Sequence, residues 1–488
     1  MVWQGHYDRL FIGGDWIAPS TGARIAVTSP LTEEVIAEVP DAARTDVDRA
    51  VAAARAAFDT GPWPRMPLDE RMAVLACFRD IIAERRDQVA QLVTDEMGCP
   101  ITLSKGMQAT GPKLLLDAFL ELAPGYPWQD VRRSTTGTGL VLREPKGVVA
   151  AVVPWNAPIL IAAIKLAPAL LSGCTMILKP APESPLSAYL LAEMLAEAGL
   201  PAGVFNVVPA DREVSEYLVL HEGVDKVSFT GSSAAGRRLG GICGERLRHL
   251  TLELGGKSAG IVLDDADLPS VMQAIRATSL RNSGQVCSNK TRIVVSRRRR
   301  DELLDALSAM MATMPVGDPN DPATEIGPMV SHRQRERVEG YIARGREESR
   351  LVLGGGRPAG LNRGWFVEPT IFADVDRNAV IAQEEIFGPV LAVQTYEDED
   401  DAVAIANDST YGLNGAVHSA DPERALRLAR RIETGTVEIN GAGVGFHSPI
   451  GGVKMSGIGR EAGPEGFDAY VDIKSIGLPA GLADKFAN

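Results

Sequence analysis

Cysteine is scarce in this 488-residue chain, and none of it is paired in sequence. Cys77, Cys99, Cys174, Cys243 and Cys287 are odd in number, widely spaced and without a Cys-x-x-Cys motif. That pattern excludes a disulfide framework and a zinc site, and it suits a reducing compartment. Positive charge is also short. The chain has 50 Lys and Arg against 63 Asp and Glu, a net charge of −13, which argues against a nucleic-acid or anionic-membrane partner. The one basic run, Arg297–Arg300, reads as a solvated turn before a helix. No apolar run reaches membrane-spanning length, and Met1–Asp8 lacks both a basic n-region and an apolar core. A cytoplasmic location is therefore expected. Repeats and low-complexity segments are missing as well.

What remains is an ordinary globular composition, 45% hydrophobic and 23% charged. Its length suits about two to four domains. Leu10–Trp16 reads as strand, turn and strand, and helical apolar spacing follows over Asp46–Phe58 and Leu68–Met97. From Gly147 the texture changes. Strand-like Val148–Val153, Thr175–Leu178, Val204–Val208 and Val224–Phe229 alternate with helical segments, which predicts an α/β fold with a parallel, doubly wound sheet. A second α/β stretch runs from Lys257 to Val453, with strands at Ala259–Leu263 and Val390–Val393. Ser134–Arg143, turn-rich and β-branched, has the character of a protruding hairpin that needs a partner.

Four segments carry candidate chemistry. Cys287 follows Asn282-Ser283-Gly284-Gln285, where glycine permits a bend that lifts a side chain into a cleft, although a free cysteine is more often a small buried hydrophobe. Glu253 lies inside an apolar strand end before Gly255-Gly256, where burial raises a carboxyl toward the range of a general base; alternation equally allows it to face solvent. Gly256-Lys257-Ser258 mimics the end of a P-loop, but Thr251 stands where the first glycine belongs, so ATP binding is rejected. Phe229-Thr230-Gly231-Ser232 leaves a buried strand and opens a helix, a place for a pyrophosphate, though by itself it is an ordinary tight turn. Pro154-Trp155-Asn156 ends another strand, and the Asn156 amide can either serve a developing oxyanion or cap a turn. Gly457-Ile458-Gly459-Arg460-Glu461 only approximates a dinucleotide fingerprint, with no buried strand before it.

Taken in order, Pro154-Trp155-Asn156, Leu178-Lys179-Pro180, Phe229–Ser232, Leu252–Lys257, Gly284–Cys287, Glu385-Ile386-Phe387-Gly388-Pro389 and Ser448–Glu461 resemble the aldehyde dehydrogenase superfamily across nearly the whole chain. The resemblance implies two doubly wound α/β domains and a small β arm. Residues 1–125 and 146–256 would hold the cofactor, 257–456 would carry the nucleophile, and 126–145 with 469–488 would form an oligomerisation arm and tail. It implies that Cys287 attacks an aldehyde, that Asn156 and the Cys287 N–H hold the oxyanion, and that Glu253 activates the hydrolytic water. Glu461 would relay protons.

The same resemblance implies NAD or NADP as cofactor. Lys179 and Glu385 would hold its riboses, Ser232 with Gly231 and Phe229 its pyrophosphate side. Val153, Pro154, Trp155, Leu254, Gly255 and Phe387 would complete the walls. Two departures stand out. Pro182 occupies a position where many NAD-using members carry a ribose-binding glutamate, with Glu183 next door, and Val208–Val214 lacks the glycines many relatives show there. Ala157, Leu160, Ile161 and Ile164 make one apolar helix face, which suits an apolar aldehyde or ordinary core packing. Arg281 could instead attract an acidic substrate. No metal is implied, and a homodimer or homotetramer is expected, with the hairpin and the tail strand near Tyr470–Ile473 pairing across subunits. A coenzyme-A-acylating dehydrogenase and a non-catalytic binding protein are the rival readings. A hydrolytic base at Glu253 opposes the first, and an intact Cys287, Glu253 and Asn156 the second.

Overall fold

The computed structural model describes residues 5–486, so Met1–Gln4 of the N-terminal reading and the last two residues of the tail lie outside it. Two large sheets organise the chain. The first has the spatial order Asp15–Ile17, Leu10–Ile12, Phe205–Val207, Thr175–Lys179, Val148–Val152, Lys226–Thr230, His249–Glu253 and Gly457–Ile458. Its five central strands, from Phe205–Val207 to His249–Glu253, are parallel. Chain order reverses beside Val148–Val152, whose neighbours are Thr175–Lys179 on one side and Lys226–Thr230 on the other. Such a switch point opens a crevice at the carboxyl ends of the strands, where α/β proteins take ligands.

The period-two geometry of a strand explains why that sheet is buried on both faces. Val149 and Ala151 join one apolar layer with the helices Pro158–Ser172 and Leu186–Glu197, while Val148, Ala150 and Val152 join the opposite layer with Arg44–Asp59. The helix Pro158–Ser172 starts with proline at its first position and ends at Gly173, whose φ of +92° makes a left-handed cap. The second sheet, in the order Arg350–Leu353, Thr370–Ala373, Val390–Tyr396, Arg292–Ser296, Ala259–Val262, Asn414–His418 and Thr436–Ile439, is parallel except at its first strand.

Several elements differ from the sequence reading. The long helical stretch divides at Arg85, which leaves helical geometry (φ −89°, ψ 17°), into Leu68–Glu84 and Arg86–Met97. A hairpin of Arg24–Thr28 and Val35–Pro40, not anticipated from the pattern, carries a turn whose Pro30 carbonyl accepts from the Trp365 N–H at 3.1 Å. The protruding hairpin, Gln129–Ser134 with Gly137–Pro145, takes the tail strand Val471–Leu478 along its second strand within the same chain. Gly137–Pro145 is thereby paired on both sides, so hairpin and tail complete each other, and only the outer edges of the three-stranded sheet stay open. The basic run behaves as a solvated turn: Arg297 pairs with Glu397, Arg299 with Glu302 and Arg300 with Asp374.

Candidate active site

Cys287 sits on a loop between the helix Leu268–Thr278 and the strand Arg292–Ser296. The loop reaches it through three successive left-handed residues, Asn282 (φ +54°), Ser283 (φ +57°) and Gly284 (φ +79°). Only the last is free of a side-chain penalty. At Gly284 a β-carbon would lie 2.0 Å from the Gly388 carbonyl oxygen, and at Gly256 it would lie 2.6 Å from that of Cys287. The loop is pinned by its own polar groups. Ser283 Oγ donates to the Gly327 carbonyl at 3.0 Å and accepts from the Gly327 N–H at 2.8 Å. Gln285 Oε1 accepts from the Val330 N–H at 3.0 Å.

Asn156, just past the central strand Val148–Val152, meets this loop directly. Its side-chain amide donates to the Gln285 carbonyl at 2.9 Å, and its own carbonyl accepts from Asn282 Nδ2 at 3.1 Å. One amide hydrogen remains for the cavity that Asn156 and Cys287 share. Burial pushes the Cys287 thiol up to about 12; Glu385 and Glu253 add to the rise and Arg281 opposes it. Arg281 itself donates to Ser288 Oγ at 3.2 Å.

Glu253 ends its strand buried, and among the described residues its Oε1 has no hydrogen-bond partner. A β-carbon at Gly451 would stand 2.6 Å from that oxygen, so only glycine leaves the carboxyl its place. Burial, and then the charge of Glu461, hold the Glu253 carboxyl well above the usual carboxylate range, against the pull of Lys165 and Arg460. Glu461 is fixed beneath it by Lys165, whose ammonium donates to Oε1 at 2.5 Å and to Ser228 Oγ at 3.1 Å.

The sequence-derived residues converge on two connected cavities. One, of about 180 Å³, has walls from Pro154, Trp155, Asn156, Gly231, Ser232, Leu254, Gly255, Cys287, Glu385 and Phe387. The other, of about 490 Å³, shares Pro154, Trp155, Gly231 and Ser232 and adds Val153, Lys179 and Phe229. Glu253 and Glu461 stand behind these walls rather than in them. Burial lifts the Glu385 carboxyl to about 7, although it accepts from the Gly256 N–H at 3.1 Å. Burial lowers Lys179 to about 8, against the pull of Glu183, Asp211 and Asp41. Phe387 (φ +61°) meets Trp155 edge-on, ring centres 5.3 Å apart. Gly231 is bare because a β-carbon would strike the Phe229 ring at 2.5 Å. Ser232 caps the helix Ser233–Glu245, its Oγ accepting from the Ala235 N–H at 3.3 Å.

These walls fit a dinucleotide: a switch-point crevice, a capped helix start and a buried ammonium facing open space. The sequence reading missed Gln334 and Arg337. Both come from the helix His332–Glu348 and tie down the loop bearing Glu385 and Phe387, Gln334 Nε2 donating to the Phe387 carbonyl and Arg337 to that of Glu385, each at 2.8 Å. On so charged a helix nothing marks them apart from solvated neighbours; their i, i+3 spacing was the one signal. The apolar stripe after Asn156 divides. Ile164 is packed into the core, whereas Leu160 and Ile161 stay half-buried.

Residues 16–476 match the model of the aldehyde dehydrogenase family. The geranial dehydrogenase of Castellaniella defragrans is 47% identical, over 97% of this chain and 99% of its own length. A crystal structure of a Mycobacterium tuberculosis aldehyde dehydrogenase with NAD+ superposes with a TM-score of 0.96 at 50% identity, covering 97% and 99% of the two chains. Aldehyde dehydrogenase C of Pseudomonas syringae, solved as a mutant with NAD+ and octanal, gives 0.94 at 40% identity, covering 97% of each. Likeness of this extent in sequence and in backbone settles the matter: the chain belongs to the aldehyde dehydrogenase family, as an NAD-dependent oxidoreductase that converts aldehydes to carboxylic acids.

Proposed function

We propose that Cys287 is the nucleophile of this oxidation and Glu253 the base that releases the acid. The observation that carries the assignment is the meeting of Cys287 and the Asn156 amide at one cavity, with the Glu253 carboxyl, its Oε1 unpartnered among the described residues, buried close behind. Cys287 loses its proton as its sulfur bonds to the aldehyde carbon. The Asn156 amide and the Cys287 N–H then steady the resulting oxyanion. The bound nicotinamide supplies the hydride acceptor for the oxidation that leaves a thioester on Cys287. Glu253 takes a proton from water as the water attacks that thioester, giving the carboxylic acid and the free thiol. Glu461, held by Lys165, receives the proton from behind. Glu385, beside Cys287, serves the nicotinamide-side ribose, and Lys179 the adenosine-side one.

The substrate in this reading is an apolar aldehyde of moderate length. Leu160 and Ile161 keep half-buried faces on the helix after Asn156, and Leu160 Cδ1 comes within 3.5 Å of where a β-carbon on Gly111 would stand, close after the π-helical turn Lys105–Thr110. The name of the Castellaniella enzyme, a geranial dehydrogenase, and the octanal held in the Pseudomonas structure support the same class. Residues 1–125 with 146–256 form the cofactor domain, 257–456 the catalytic domain, and 126–145 with 469–488 an arm that builds a homodimer or homotetramer. Exposed Ile473 and Ile476 on the arm's edge strand support that last part. No helix among the described residues is long and apolar enough to cross a membrane; the cytoplasm, where five free thiols stay reduced, is the setting.

The test is steady-state NAD reduction over aldehydes of graded length and charge, with product analysis with and without coenzyme A. The expected result is free acid from octanal without coenzyme A. A preference for short acidic semialdehydes would overturn the substrate class, and a strict need for coenzyme A would overturn the role of Glu253.

A further inference from the structure

Arg281 opens the loop that carries Cys287, and its guanidinium turns back onto that loop. Its Nη2 donates to Ser288 Oγ at 3.2 Å, one residue past Cys287, and its carbonyl accepts from Asn289 Nδ2 at 3.0 Å and from the Gly284 N–H at 3.2 Å. Nε is buried and, among the described residues, has no hydrogen-bond partner. No described carboxylate forms an ion pair with this guanidinium. The acidic group that acts on it is Glu438, on the strand Thr436–Ile439, and that carboxylate is already held by the Lys290 ammonium at 2.6 Å and by Asn414 Nδ2 at 3.1 Å. His418, on the neighbouring strand, is lowered to about 4 by burial and stays neutral. The other group that bears on Arg281 is the Cys287 thiol. A buried cation without a counter-charge is unfavourable, and it is relieved when a neighbour turns negative.

We propose that Arg281 is a positioning residue whose charge steadies the Cys287 sulfur as a thiolate, the proton passing to solvent in the cavity. The inference rests on reading Cys287 as the nucleophile. Two carboxyl groups face the same thiol and oppose its ionisation, Glu385 from the loop before Val390–Tyr396 and Glu253 from its strand end; among the described residues Arg281 is the cation that acts against them. An arginine suits this place because its guanidinium stays charged over the whole working range of pH, where a buried lysine would not. The bond to Ser288 fixes that charge beside the sulfur without spending it on an anion.

The experiment follows the pH dependence of Cys287 alkylation by iodoacetamide, a neutral reagent, on the full-length enzyme without cofactor, with the modified residue read by peptide mass spectrometry. Arg281→Met and Arg281→Gln should each move the half-point of that profile up by about one pH unit, so that alkylation below it is about tenfold slower. Arg281→Gln keeps a donor for Ser288 Oγ, which separates the loss of charge from the loss of the bond, and it serves alone should Arg281→Met fail to fold. Arg281→Lys retains the charge and should hold the half-point within about 0.3 pH unit of the parent enzyme. A half-point unmoved in the neutral variants, with Cys287 still the residue alkylated, overturns this inference alone. A rise in Arg281→Lys as large as in Arg281→Gln assigns the effect to shape and overturns it too. Full turnover in Cys287→Ala overturns it together with the nucleophile assignment.

Discussion

The Asn156 side-chain amide and the Gln285 carbonyl, 129 residues apart in sequence, meet at 2.9 Å and fasten the switch-point loop of one sheet to the Cys287 loop of the other. Asn156 thus has two duties, one toward the loop and one toward the cavity. Asn156→Ala should lower kcat by about 10²–10³-fold, the scale of losing one oxyanion donor. NAD affinity should hold within a few-fold, since the loop keeps its bonds to Gly327 and Val330. Stopped-flow turnover beside cofactor titration checks both.

Cys287→Ala should abolish oxidation and leave cofactor binding intact. Glu253→Gln should still form the thioester and stall there, so intact-protein mass spectrometry should find an acyl adduct on the Glu253 variant and none on the Cys287 variant.

The pH dependence has a definite sign. Glu253 acts as a base only when ionised, so kcat should fall as pH drops through its raised pKa, a limb lying above the ordinary glutamate value of about 4.3. Glu461→Gln removes the like charge and should move that limb to lower pH. The same shift makes Glu253 a destabilising group at high pH: the unfolded chain releases this proton more readily, so the contribution to folding worsens as pH rises.

Lys165→Met should cost about 3–5 kcal/mol of stability, because Glu461 would be left as an uncompensated buried charge. The double variant Lys165→Met, Glu461→Leu should recover much of the loss in denaturant unfolding while remaining slow in turnover.

Much of this was legible from sequence, for reasons that differ by residue. Val148–Val153 announced a doubly buried strand because parallel sheets read as continuous apolar runs. Cys287, Glu253 and Asn156 were legible as an ordered set, although each taken singly had a commonplace explanation. Gln334 and Arg337 were not legible, since their value lies in carbonyls about fifty residues away that no local pattern reveals. The pairing of hairpin with tail was half-read: two strand-like segments were evident, but not that one would spend its edge on the other. The break at Arg85 left no mark in the apolar spacing of Leu68–Met97.

The left-handed run before Cys287 has a consequence for how the enzyme fails on heating. Asn282 and Ser283 each occupy backbone angles that cost of order 1–3 kcal/mol, held only by the surrounding hydrogen bonds. That segment is spring-loaded toward ordinary geometry. Inactivation should therefore precede global unfolding, with the thiol drifting out of register while both sheets are still intact.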